Sequence, residues 1–198
     1  NTDVLRNIAR QFWGGEVNTD FTTYEGKALA AKLIQDRQYV KEALMLCDWI
    51  YPMLEVRNTE DHLGDPTLES RLVSAVIGKE YDEGSLNRVG ERLFNLQRAI
   101  LLREGHRALA DDKLPDNWHN EPYRGHVVDP DCLVPGKNGE LVSRKGAMIG
   151  WEDFVKMRSE FYELRRWDVA SGRQTREQLK EIGLEDIADD LAERGLLV

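Results

Sequence analysis

The stretch Ser85–Gly105, SLNRVGERLFNLQRAILLREG, decides the fold class. Leu86, Val89, Leu93, Leu96 and Ile100 recur at three- and four-residue steps, the spacing of one helical face. Ser85 can cap the start and Gly105 stops the pattern. The spacing predicts the longest helix of the chain and the centre of a bundle.

The same periodicity continues on both sides. Upstream, Val4, Leu5, Ile8 and Phe12 form a helical face ended by Gly14-Gly15. A second helix is expected from about Tyr24, with Leu29, Leu33 and Ile34 on one face and a bend near Gln35-Asp36. It leads into EALMLCDWIYP (Glu42–Pro52), where proline limits continuation. Asp65-Pro66 reads as an N-cap acid followed by proline at the first helical position. Leu68, Leu72, Val73, Val76 and Ile77 then supply an apolar face. Downstream, helix returns at Trp151 with Phe154, Met157, Phe161 and Leu164 and ends near Trp167. Thr175 with Gln178 matches a capping box, followed by Leu179, Ile182, Ile187 and Leu191 in two short helices broken at Gly183.

Between these lies Asp111–Gly150, with Pro115, Pro122, Pro130 and Pro135. One hairpin is expected, around Asn138-Gly139 in VPGKNGELVS. An irregular segment this long is uncommon in a compact domain, so it is read as a wrap over other surface. The class is therefore all-α, with at most one short hairpin. The organisation expected is residues 1–110, a wrapping segment 111–150, and closing helices 151–198.

Composition narrows the function. Twenty-seven basic residues against 36 acidic ones give a formal net charge of −9, which disfavours nucleic acid as a partner. No apolar run approaches the ~20 residues needed to span a bilayer, and no signal-peptide pattern opens the chain. A cytoplasmic setting follows as the default. The opening NTDVLRNIARQFWGG lacks an initiator methionine and is helical at once, so a piece of a longer protein is expected.

Chemistry read from the residues alone is sparse. His62, His106, His119 and His126 are scattered and read as surface or hydrogen-bonded histidines. Glu60-Asp61 and Asp111-Asp112 read as solvated loop charges, and Asp189-Asp190 as the outer face of a terminal helix. The two cysteines, Cys47 and Cys132, are too far apart to suggest a disulfide framework. Cys47 admits three readings. It can be a buried core thiol, a nucleophile poorly supplied because Asp48 would raise its pKa, or one ligand of a site completed elsewhere.

The ordered segments RVGERLFNLQRAILLREG, DDKLPDNW, EPYRG, VPGKNGELVSRKG and FVKMRSEFYELRRWDVASGRQTREQLKEIGLEDIADDL resemble the C-terminal helical region of the tungsten-containing aldehyde:ferredoxin oxidoreductase family. That family has an Arg-x-x-Asn-x-x-Arg-Ala helix followed by Arg-Glu-Gly. An Asp-x-x-Leu-Pro segment, a Tyr-x-x-Arg-Gly-Trp-Asp helix end and a Gly-x-x-Thr-x-x-x-Leu pattern follow. Here Arg166 stands at the glycine before Trp167-Asp168.

The resemblance gives the Glu42–Asp48 stretch a meaning. The family's Asp-x-x-Gly-Leu-Cys-x loop supplies one of four cysteines to a 4Fe-4S cluster, and its leading acid binds a pterin of the tungsten cofactor. It implies Cys47 as the cluster ligand and Glu42, Leu46 and Asp48 as cofactor-binding positions, with catalytic residues unassigned. Glu42 replaces aspartate and Met45 replaces glycine, so the loop is expected to be more helical or displaced.

It further implies an enzyme oxidising aldehydes to carboxylic acids on a tungsten or molybdenum bis-pterin, with ferredoxin as electron acceptor. The partners implied are the N-terminal domain of the same protein, ferredoxin and the aldehyde, with a second copy of the chain as a further candidate. One thiolate cannot hold a cluster, so this chain alone is expected to bind no cofactor and to be inactive. A relative reducing aromatic acyl-thioesters is equally compatible. The alternatives outside this class are a non-catalytic helical interaction module with Cys47 buried and inert, and a cysteine hydrolase.

Overall fold

The computed structural model describes residues 2–47, 49–50 and 53–198. Among them are eight α-helices and one two-stranded hairpin. The helices are α1 (Thr2–Phe12), α2 (Lys27–Ala43), α3 (Leu68–Ile77), α4 (Glu83–Arg103), α5 (Asn117–Asn120), α6 (Trp151–Arg165), α7 (Arg176–Glu181) and α8 (Glu185–Glu193). Strands β1 (Leu133–Pro135) and β2 (Leu141–Ser143) pair antiparallel. The all-α expectation with one hairpin holds.

Helix α4 is the longest and lies at the centre, against α2, α3 and α8, while α6 packs on α2. Its start is a capping box. Asp82 is the N-cap and accepts from Ser85 N at 2.6 Å, while Ser85 Oγ accepts from Asp82 N at 2.9 Å. Ser85 thus serves at the third helical position, not as the cap itself. The closest approach of α4 to α2 is at Gly90, where a Cβ would stand 2.0 Å from the Asp36 carbonyl oxygen. Only a residue without a side chain lets the two backbones meet there.

Helix α2 runs unbroken through Gln35-Asp36, against the expected bend. Asp36 is buried on the inner face because it pairs with a buried arginine, so its polarity marks a contact and not a break. Helix α3 begins at Leu68, later than Pro66 would allow. Asp65 Oδ1 instead accepts from Thr67 N at 2.8 Å and Thr67 Oγ1 at 2.6 Å, closing a turn ahead of the helix. Of its apolar face, Val73 is buried while Leu72, Val76 and Ile77 are exposed.

Three apolar clusters hold the layers. Val4, Ile8 and Phe12 of α1 form one, and Val40, Val73 and Leu86 join α2, α3 and α4. Ala99 meets Leu179, Leu184, Ala188 and Leu191, seating α7 and α8 on α4. Burial of each such leucine stabilises by roughly 1.5–3 kcal/mol. At α7 the predicted capping box is half formed. Thr175 Oγ1 accepts from Gln178 N at 3.3 Å, but the buried Gln178 side chain has no partner among the described residues.

The 111–150 segment is pinned at several points. His119 Nδ1 lies 2.7 Å from the Ile149 carbonyl, and Phe21 N donates to Pro135 O at 3.0 Å. The hairpin pairs Pro135 with Leu141 across a five-residue loop, longer than a two-residue Asn138-Gly139 turn.

Candidate functional site

Helix α2 ends in a tight turn that carries the candidate site. Leu44 is the C-cap. Met45 N donates to Glu42 O and Leu46 N donates to Lys41 O, both at 3.0 Å. This paired pattern is a Schellman motif, and it requires the residue after the C-cap to be left-handed. Met45 is that residue, with φ +54°. An L-residue there costs roughly 1–2 kcal/mol relative to glycine.

The turn brings Glu42, Leu46 and Cys47 together at one end of the bundle. Glu42 is exposed and accepts from Gln38 Nε2 at 3.1 Å. Leu46 is half-buried. Cys47 is exposed, and its carbonyl accepts from Ile50 N at 3.2 Å. The reading of Cys47 as a buried core thiol is therefore corrected: its apolar neighbours Met45 and Trp49 themselves face outward, at 92% and 96% exposure. Asp48 lies outside the described residues. The Met45 substitution has not made the loop more helical, because helix α2 stops at Ala43 and Met45 takes up the glycine-like conformation.

Helix α6 ends in the same device. Arg166 N donates to Glu163 O and Trp167 N to Tyr162 O, both at 2.9 Å, and Arg166 sits at φ +56°. Both positions where the resemblance expects glycine, 45 and 166, thus have left-handed backbone despite carrying side chains.

Between α2, α4 and α6 lies a buried polar network that sequence reasoning passed over. Arg165 is fully buried. Its Nη1 donates to Asp36 Oδ1 at 2.5 Å, its Nη2 to Gln35 Oε1 at 3.0 Å, and its guanidinium lies 4.0 Å from the Phe94 ring centroid. Burial pulls its pKa down, opposed by the charge of Asp36. Arg98 grips Asp112 with both Nη atoms, at 2.8 and 2.5 Å, and stacks over Trp167.

Tyr162 Oη also donates to Asp112, and burial raises its pKa, as does that bond. Trp167 Nε1 donates to Asn95 Oδ1 at 2.8 Å, and Gln174 Nε2 donates to the same oxygen at 2.9 Å. Asp112 is therefore not a solvated loop charge, whereas its neighbour Asp111 is bound by Arg107 at the surface. The only available signal was the motif itself: Asn95, Arg98, Asp112, Tyr162, Arg165 and Trp167 all fall within or beside the family's segments.

Residues 3–184 match the family described as "Aldehyde ferredoxin oxidoreductase, domains 2 & 3". The chain belongs to the aldehyde ferredoxin oxidoreductase family. Its relatives include the tungsten-containing aldehyde ferredoxin oxidoreductases of Pyrococcus horikoshii and Pyrococcus abyssi, each 28% identical over 120 residues. That of Pyrococcus furiosus is 25% identical over 118 residues. The matched stretch is 58% of this chain but 16% of the P. horikoshii protein. The chain thus matches about one sixth of the length of these curated relatives.

A metal-ligating thiolate needs an accessible sulfur, and Cys47 offers an exposed one on a fixed turn. Among the described residues no three His, Cys, Asp or Glu side chains gather into a metal site. Among the described residues no helix is long and apolar enough to cross a membrane.

Proposed function

We propose that this chain is the C-terminal part of an oxidoreductase that converts aldehydes to carboxylic acids, with ferredoxin taking the electrons. In this reading Cys47 is one thiolate ligand of a 4Fe-4S cluster. Glu42 and Leu46 line the pterin side of the same turn, and Asp48 is assigned to the cofactor by its sequence position alone. The observation that carries it is the Schellman turn with Met45 left-handed. It preserves the backbone path that a glycine would take and holds Cys47 outward at the motif's position.

When bound, the tungsten or molybdenum bis-pterin supplies two-electron oxidation of the aldehyde and the cluster relays single electrons to ferredoxin. The chain's own residues position. The turn fixes Cys47 Sγ relative to α2, and the Asp36–Arg165 pair fixes α2 against α6. Glu42 offers a carboxylate acceptor for pterin N–H groups. Met45, Trp49, Ile50, Val76 and Ile77 expose apolar surface at the ends of α2 and α3. Exposed apolar surface of this kind marks an interface, and the N-terminal domain of the same protein is the partner that would cover it and exclude water from a cluster. Alone, the chain would hold neither cofactor and would be inactive.

The test is purification of the complete protein carrying this chain, with metal and sulfide analysis and a panel of aldehydes. Iron, acid-labile sulfide, tungsten or molybdenum, and aldehyde-dependent ferredoxin reduction are expected. Absence of all metals in freshly purified, anaerobically handled protein would refute the proposal.

A further inference from the structure

A cavity of about 380 Å³ opens between α2, α4 and α6, beneath the Asp112–Leu114 loop. It lies within the ~300–1,000 Å³ of small-molecule sites. Its floor is apolar, with Ala31 from α2, Leu101 from α4, and Met157 and Phe161 from α6.

The charged groups at this cavity are unbalanced. Arg98, Lys113 and Arg158 line it, with Asp112 as the sole carboxylate. Asp112 is already spent, because both of its oxygens are bound by Arg98 and one by Tyr162. Arg158 is half-buried and makes no ion pair among the described residues. Its Nη1 reaches only backbone carbonyls, those of Asp112 at 2.7 Å and Leu109 at 3.4 Å. The buried Nε atoms of Arg158 and Arg98 have no hydrogen-bond partner at all among the described residues. Lys113 is exposed at the rim. In a chain of net charge −9 this is a local excess of two positive charges over an apolar floor. An anion placed against a half-buried guanidinium that has no carboxylate partner gains a charge-assisted bond.

We infer that this cavity binds a small amphipathic carboxylate, its apolar body on Ala31, Leu101, Met157 and Phe161 and its head on Arg158 and Lys113. Every residue named at the site belongs to this chain and none lies in the 42–48 turn, so the inference stands or falls separately from the cluster assignment at Cys47.

Phenylacetate is a suitable probe and phenylacetamide its uncharged control. Binding to the 198-residue chain is followed by proton–nitrogen NMR at the Trp167 indole, which lines the cavity. Saturable phenylacetate binding at millimolar or lower concentration is expected, with phenylacetamide roughly tenfold weaker or more, since a charge-assisted bond is worth about that factor. Arg158→Gln should weaken phenylacetate by roughly the same factor, to the level of the amide. Ala31→Phe should fill the floor and abolish binding. Should Arg158→Gln fail to fold, Lys113→Gln at the exposed rim replaces it and should weaken phenylacetate several-fold while leaving the amide unchanged. Equal binding of acid and amide would overturn the inference. So would no saturable binding of either, or undiminished affinity in the folded head-group variant.

Discussion

Removal of Asp36 tests how the bundle is locked. Arg165 has no exposed surface, and its charged partner is Asp36, which also receives Lys32 Nζ at 2.9 Å. Asp36→Ala would leave a guanidinium buried between Phe94 and Phe161 with only Gln35 Oε1 and the Lys32 carbonyl to satisfy it. Breaking one side of a buried pair costs about 3–5 kcal/mol. For a chain of this size each kcal/mol shifts Tm by roughly 2–4 °C, so a fall of roughly 6–20 °C is expected. Urea unfolding followed by far-UV circular dichroism measures it directly. The double variant Asp36→Leu/Arg165→Met removes both charges and should recover most of the loss. A single-variant cost below about 1 kcal/mol, or a double variant as unstable as the single, would refute the reasoning.

Other outcomes follow from the same structure. Met45→Gly relieves a left-handed L-residue and should stabilise by roughly 0.5–1 kcal/mol in urea unfolding, since glycine recovers the strain but costs chain entropy. Gly90→Ala drives a methyl into the Asp36 carbonyl and should cost about 3 kcal/mol or more, read by thermal melting. Acid titration should show stability lost as pH falls from about 4 toward 2. The folded pKa values of Asp20, Asp65, Asp82 and Asp168 lie below the ordinary 3.8, held there chiefly by hydrogen bonds from neighbouring hydroxyls, and Asp111 lies at about 2 beside Arg107. The unfolded chain therefore binds more protons in that window. A flat profile between those limits would contradict the assignments.

The helices were legible because their signal is periodic and local: the 85–105 pattern located α4, Glu83–Arg103, with the cap three residues earlier than read. What lies between helices was less so. Asp36 read as a bend because an acid in a helix is locally ambiguous, and its partner is 129 positions away. Asp112 read as a loop charge for the same reason, since Arg98 and Tyr162 come to it only when α4 and α6 fold together. The exposed face of α3 was invisible to periodicity, which reports that a face is apolar but not what covers it. Met45 and Arg166 carry no local sign of left-handed backbone. The resemblance has glycine at both positions, yet the side chain at Met45 pointed the reading toward a more helical or displaced loop, and the resemblance alone assigned Cys47 to a cluster.

The most direct test of the central claim is low-temperature electron paramagnetic resonance of the dithionite-reduced complete protein, wild type against Cys47→Ser. A reduced 4Fe-4S signal is expected in the wild type and is lost or clearly altered in Cys47→Ser, with matching loss of iron and sulfide. An identical signal and identical iron content in the variant would show that Cys47 is not a ligand.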